Sequence, residues 1–115
     1  MSENAVREKS MGFAVRIVKL YQYLSEEKKE HVISKQLLRS GTSIGANVRE
    51  ALQGQSKKDF TAKMSISLKE AVETEYWLEL LYKTEYLTRE QYDSIDNDCG
   101  EMARILTAIV KSARN

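Results

Sequence analysis

Proline is absent from this 115-residue chain, and glycine occurs only five times. Both residues interrupt helices, so their scarcity favours long unbroken helical segments. Leucine, lysine, glutamate and alanine, which favour helices, are abundant instead. The length suits one hydrophobic core and is too short for two, and we therefore expect residues 1–115 to form a single domain.

Cysteine and histidine are each present once, as Cys99 and His31. One cysteine excludes an intrachain disulfide and a cysteine-based zinc site. A di-metal carboxylate site in a helical bundle draws Glu-x-x-His motifs from two helices, which one histidine cannot supply. Cys99 lies at an apolar helical position, typical of a small buried hydrophobic residue, and no glycine elbow surrounds any serine. The sequence therefore predicts no catalytic residue, no metal and no cofactor, and a protein that is not an enzyme.

A strong charge of either sign is also absent, since 18 basic and 17 acidic residues leave a formal net charge of +1. Nucleic-acid-binding domains are usually markedly basic, and this chain as a whole is not. No apolar run approaches the roughly 20 residues that cross a bilayer, and the N-terminal residues lack the apolar core of a secretory signal. We expect a cytoplasmic protein that does not enter a membrane.

Four segments with apolar residues at helical spacing occupy most of the chain. They run approximately over residues 4–24, 32–53, 57–85 and from 88 onward. Ser56 with Asp59, and Thr88 with Gln91, have the spacing of capping boxes that open the third and fourth segments. No stretch alternates apolar and polar residues as a half-buried strand does. Short connections between four helices imply antiparallel neighbours, so the sequence predicts an all-α, up-down-up-down four-helix bundle.

The second segment contains the run RSGTSIGANVREA, residues 39–51. Gly41 and Gly45 are one residue too close for a Walker phosphate loop, the lysine of that loop is missing, and no strand precedes the run. On a helix, two glycines four residues apart share one face and let a neighbouring backbone approach closely. We therefore interpret the run as a tightly packed helix whose inward-facing polar side chains need hydrogen-bond partners.

The third segment contains YWLELLYKTEYL, residues 76–87, in which apolar and aromatic residues surround nearly the whole helix. A bundle core covers only one side of a helix, so this excess predicts a second buried surface. The fourth segment shows the same excess near Ile105, Leu106, Ile109 and Val110. Exposed apolar surface usually marks a protein interface, and the sequence therefore predicts a homo-oligomer.

Two motifs in these helices resemble the signature of the four-helix bundle family named for the protein encoded in 23S rRNA intervening sequences. The first motif, R-S-x-x-S-I-x-A-N-[IV]-x-E, matches at Arg39, Ser40, Ser43, Ile44, Ala46, Asn47, Val48 and Glu50. The second motif matches at Phe60, Lys69, Glu70, Ala71, Glu73, Thr74 and Trp77. The resemblance covers nearly the whole chain. It implies an up-down bundle that assembles into a ring, commonly a homopentamer.

The polar residues of these motifs are interpreted as packing residues. We expect Glu50 and Glu70 to close hydrogen bonds across the second and third helices. Their candidate partners are Arg39, Ser40, Ser43 and Asn47. The sequence does not choose among these pairs.

The resulting functional hypothesis is a non-enzymatic oligomeric scaffold or adaptor that acts by binding a protein partner. The alternative is a nucleic-acid-binding accessory protein that works with RNA or a reverse transcriptase. The resemblance implies this alternative, since a related branch of the family is the accessory variability protein of diversity-generating retroelements, a basic pentamer that binds a reverse transcriptase and nucleic acid. The candidate phosphate contacts for this alternative are Lys35, Arg49, Lys57, Lys58 and Lys63. The near-neutral net charge favours the scaffold.

Overall fold

Four α-helices account for most of the computed structural model, which describes residues 2–115. They are α1 (Glu3–Glu26), α2 (Ile33–Leu52), α3 (Lys57–Lys83) and α4 (Arg89–Arg114). Each helix packs against the next one in the chain and α4 returns to α1, which gives an antiparallel up-down-up-down bundle 43 Å long. No strand forms between residues 2 and 115. The predicted fold class is confirmed, and the predicted segments end within two residues of the helices.

Side-chain caps open three of the four helices. Ser2 accepts a hydrogen bond from the N–H of Ala5 at the start of α1. At the start of α3, Ser56 accepts the N–H of Asp59, and at the start of α4 the box predicted for Thr88 and Gln91 has both of its hydrogen bonds. Such caps satisfy N–H groups that have no partner inside the helix.

Helix α2 is capped by a residue from the connector instead. The carboxylate of Glu30 accepts hydrogen bonds from the N–H groups of Val32, Ile33 and Ser34, at 3.2, 3.0 and 2.7 Å. Burial alone raises the pKa of Glu30, but these hydrogen bonds outweigh it and hold the pKa below its ordinary value. The connector between α1 and α2 therefore supplies the anion at the start of α2.

The core follows the predicted apolar stripes. Its fully buried large side chains are Ile17, Leu24, Leu37, Ile44, Met64, Leu78, Leu81, Met102 and Leu106. Helix α2 lies between α1 and α3 and packs against both. Gly41 brings the backbone of α2 against Ile17 of α1, as the glycine spacing predicts.

The apolar excess predicted on α4 lies partly in the core and partly at its edge. Leu106 and Val110 are buried, while Ile105 and Ile109 are half-buried against the same core. Helix α4 packs against α3 on one side and α1 on the other. The half-buried Ile105 and Ile109 also line an apolar groove with Phe60, so an interface on α4 stays a prediction.

Replacing Gly41 by alanine tests the close approach of α1 and α2. The new Cβ would lie 2.7 Å from Cγ1 of Ile17, a fully buried β-branched side chain with little freedom to move. We expect Gly41→Ala to lower the free energy of unfolding by about 1–3 kcal/mol in denaturant titrations at fixed protein concentration.

Gly12 provides the matched control on an exposed position of α1. A Cβ at this glycine meets nothing within 4 Å. Gly12→Ala should therefore raise the free energy of unfolding by about 0.5–1 kcal/mol. Equal effects of the two substitutions would show that the contact at Gly41 does not limit the approach of the helices.

Candidate functional site

The predicted polar residues of α2 and α3 meet in two layers, one buried and one exposed. In the buried layer, the hydroxyl of Ser67 donates a 2.8 Å hydrogen bond to the carbonyl of Ile44. The hydroxyls of Thr74 and Ser40 lie 2.9 Å apart, and both side chains are fully buried. Within residues 2–115, no buried polar side-chain atom lacks a hydrogen-bond partner. Small hydroxyl residues thus join α2 to α3 without an unsatisfied group.

The exposed layer contains a set of four motif residues that we term the Arg39 cluster: Arg39, Glu70, Glu73 and Trp77. Arg39 of α2 donates to Glu70 at 3.1 Å and also to Glu73, one turn further along α3. The indole N–H of Trp77 donates to the same Glu73 carboxylate at 2.9 Å. One guanidinium therefore bridges two carboxylates and fixes the orientation of the tryptophan ring.

The charges of the Arg39 cluster reinforce one another. The hydrogen bond from Trp77 lowers the pKa of Glu73 more than partial burial raises it, and Arg39 lowers it further. The Glu73 carboxylate in turn raises the pKa of Arg39. Arg39 is already paired with two anions, so it is a poor candidate for binding a further phosphate. The cluster instead orients Trp77 on the surface of α3. The exposed ring of Tyr76 contacts Trp77 edge to face there.

The remaining motif residues have local partners. Ser43 donates to the carbonyl of Arg39, and the amide of Asn47 donates to the carbonyl of Ser43, both within α2. Glu50 pairs with Lys63 of α3 at 3.0 Å, a partner absent from the pairs considered for it in the sequence. Together with the Arg39 cluster, this pair places ionic contacts along the whole α2–α3 seam.

The five candidate phosphate contacts are not brought together. Lys57 and Lys58 line a shallow groove with Arg114 at one end of the bundle. Lys35 lies near the opposite end, at the start of α2, and Lys63 is engaged by Glu50. Arg49 lies on the other side of α2, in a groove shared with α1.

An exposed apolar stripe on α1 was not identified from the sequence. Met11, Val15 and Val18 are 47%, 45% and 38% exposed and lie on the side of α1 that faces away from the core. Their spacing of four and three residues is itself helical, which is the signal that was available. The stripe was missed because the stronger core stripe occupies the same helix.

Groups with catalytic or metal-binding potential are dispersed. Between residues 2 and 115, no three His, Cys, Asp or Glu side chains are grouped so that they could hold a metal ion. Burial raises the pKa of the Cys99 thiol far above its usual range, and its Sγ lies 3.4 Å from the carbonyl of Ala71. A protonated buried thiol is a weak nucleophile. In the same described range, every helix is too short or too polar to cross a membrane.

The family of this protein follows from a comparison with family models. The model of the 23S rRNA-intervening sequence protein family matches residues 2–108. The chain belongs to this family. The resemblance noted in the two helical motifs is therefore confirmed, and the Arg39 cluster is made of family-motif positions.

A solved relative agrees with this family membership. It is a protein of unknown function from the S23 ribosomal protein family of Bacteroides thetaiotaomicron VPI-5482, described in a crystal structure at 1.70 Å resolution. It is 63% identical to this chain, covers 96% of it and 99% of its own length, and superimposes with a TM-score of 0.94. No curated protein matches the chain at a significant level.

The single tryptophan, Trp77, donates its indole N–H to Glu73, so we expect its fluorescence to change when that carboxylate is protonated. The lowered pKa means that the Glu73 anion stabilises the fold above its ordinary pKa and that this contribution is lost as the pH falls through the lowered value. We expect a fluorescence transition with a midpoint below 4.5, the ordinary value for a glutamate. Arg39→Gln should move this midpoint upward.

Lys83→Gln is the matched control, because it also removes a cation but one that pairs with Glu79 near the end of α3. The midpoint in this variant should equal that of the unaltered protein. An Arg39→Gln midpoint equal to both would refute the electrostatic role of Arg39.

Proposed function

We propose that the protein is a non-enzymatic cytoplasmic scaffold that assembles with copies of itself and acts by binding a protein partner. The observation that carries this proposal is the outward apolar stripe of Met11, Val15 and Val18 on α1. Apolar surface of this kind, on a helix whose opposite side already fills a core, is typical of a protein interface. The homopentamer that the family resemblance implies is the assembly we propose.

The chemistry of the chain supports a binding role over a catalytic one. Cys99 is buried and protonated, and His31 lies exposed in the connector before α2. The polar residues with the most specific geometry, those of the Arg39 cluster, are satisfied by one another. These contacts join the surfaces of α2 and α3. They place no unpaired general base beside a nucleophile.

The mass of the protein in solution tests self-assembly. A stable interface buries about 800 Å² on each partner, and the 6880 Å² surface of the chain can supply two such faces. We expect light scattering at micromolar concentration to give a mass near five times 13.2 kDa. A mass of 13.2 kDa would contradict the proposal, and another whole multiple would contradict the pentamer alone.

Binding of RNA or DNA is a second candidate function, favoured by the distribution of charge along the bundle. One half of the bundle, residues 2–14, 43–70 and 102–115, contains ten basic and five acidic residues. The other half, residues 15–42 and 71–101, contains eight basic and twelve acidic residues. The nearly neutral chain is therefore basic at the end that presents Lys57, Lys58 and Arg114.

A salt titration of binding to short duplex DNA and single-stranded RNA tests this candidate. For duplex DNA, log affinity falls with log salt, and each lost phosphate contact makes this negative slope shallower by about 0.9. We expect the double variant Lys57→Gln, Lys58→Gln to lose up to about two such contacts per subunit. The matched control, Lys28→Gln, Lys29→Gln, removes two exposed lysines from the opposite end and should bind as the unaltered protein does. Equal slopes in the two variants would exclude the basic end as the binding surface.

A further inference from the structure

Exposed large apolar side chains on the helices are confined to two of them. On α1 they are Met11, Val15 and Val18, and on α3 they are Ile66, Val72 and Tyr76. We term these the α1 face and the α3 face. Helix α1 packs against α2 and α4, and α3 packs against the same two helices, so α1 and α3 are diagonal in the bundle. The two faces therefore point away from one another.

The rim of the α1 face carries three cations and also the exposed carboxylate of Glu8, one turn before Met11. Arg7 and Arg49 line a groove of about 280 Å³ between α1 and α2, whose floor includes Met11 and the small residue Ala46. Lys19 borders the exposed stripe on its other side, beside Val15 and Val18. In residues 2–115, none of these three cations forms an ion pair. Their charge is available to an acidic surface.

The α3 face has an acidic flank toward α4, while the exposed Lys69 lies within the face itself. Glu75 and Glu79 of α3 lie beside Asp96 of α4. Burial raises the pKa values of Glu75 and Asp96, and repulsion from neighbouring carboxylates raises them further, although Arg104 partly relieves Glu75. This negative charge is incompletely balanced within the chain, so a basic partner surface would stabilise it.

We propose that the α1 face of one copy docks on the α3 face of a second copy, with the basic rim of the first against the acidic residues of the second. This inference rests on the proposed self-assembly and assigns its surfaces. Docking of two α1 faces would bring basic rims together, and docking of two α3 faces would bring acidic residues together, each at a cost in repulsion. Because the mating faces differ, the contact is heterologous, and repetition closes a ring or extends a filament.

Two variants, each with one blocked face, test this docking. Val15→Glu with Val18→Glu places acidic residues on the α1 face, and Val72→Lys with Tyr76→Lys places basic residues on the α3 face. All four positions are exposed, so helicity by circular dichroism should be unchanged. Each variant alone should have the mass of one chain, 13.2 kDa, because its intact face has no complementary partner. An equimolar mixture should form complexes larger than 13.2 kDa that contain both variants.

Val32→Glu is the matched control, since Val32 is 74% exposed but lies in the connector before α2, outside both faces. It should retain the mass of the unaltered protein. If the unaltered protein is itself 13.2 kDa, self-assembly fails and this docking fails with it. If the unaltered protein is an oligomer and either blocked variant keeps that mass, self-assembly stands and the assigned faces are wrong. A mixture that stays monomeric would also overturn the assignment.

Discussion

The close packing of α2 against both of its neighbours is the constraint on which the rest of the bundle depends. On one side Gly41 lets Ile17 of α1 reach the backbone of α2, and on the other side Ser40 and Ile44 meet hydroxyl residues of α3. A glycine inside a helix costs about 1 kcal/mol relative to alanine, and close packing must compensate for it. The run of small residues in α2 thus keeps the helices close together, since larger side chains would separate the helix axes.

The polar character of the α2–α3 seam follows from the same short distance. Hydroxyl side chains fill less volume than leucine and still satisfy their hydrogen bonds on neighbouring helices, as Ser67 does on Ile44. The short approach also lets one side chain, Arg39, span from α2 to two successive turns of α3. Exposed ion pairs contribute little free energy individually, typically below about 1 kcal/mol. Here the ion pairs of Arg39 fix an orientation instead. They position the Glu73 carboxylate, which accepts the indole N–H of Trp77 and so orients that ring on the surface of α3.

Sequence periodicity was sufficient for the helices, their limits and the core, because each of these depends on spacing along one segment. Periodicity was not sufficient for contacts that depend on the position of a neighbouring helix. The apolar excess of α4 was assigned to a second surface, whereas Leu106 and Val110 are buried in the core and Ile105 and Ile109 are half-buried beside it. The partner of Glu50 was not identified either, since Lys63 comes near it only through the register of α2 against α3. The cap provided by Glu30 depends on a connector that folds back on the start of α2, and such a turn has no periodic signal.

The net charge sums over the whole chain, whereas a ligand responds to the charge near its binding surface. In this fold the two differ, because one end of the bundle is basic and the other is acidic. The imbalance comes from α3 and α4, whose basic residues lie mainly toward one end of the bundle and whose acidic residues lie mainly toward the other. If the bundle axes lie along the symmetry axis of a cyclic assembly, all the basic ends lie on one side of the ring. The charge of that side grows with the number of subunits while the net charge of the assembly stays small. Self-assembly would thus turn a modest imbalance within one chain into a strong positive field on one side of the ring. A scaffold assembled in this way would attract polyanions on one side although each chain is nearly neutral, so the two proposed roles are compatible.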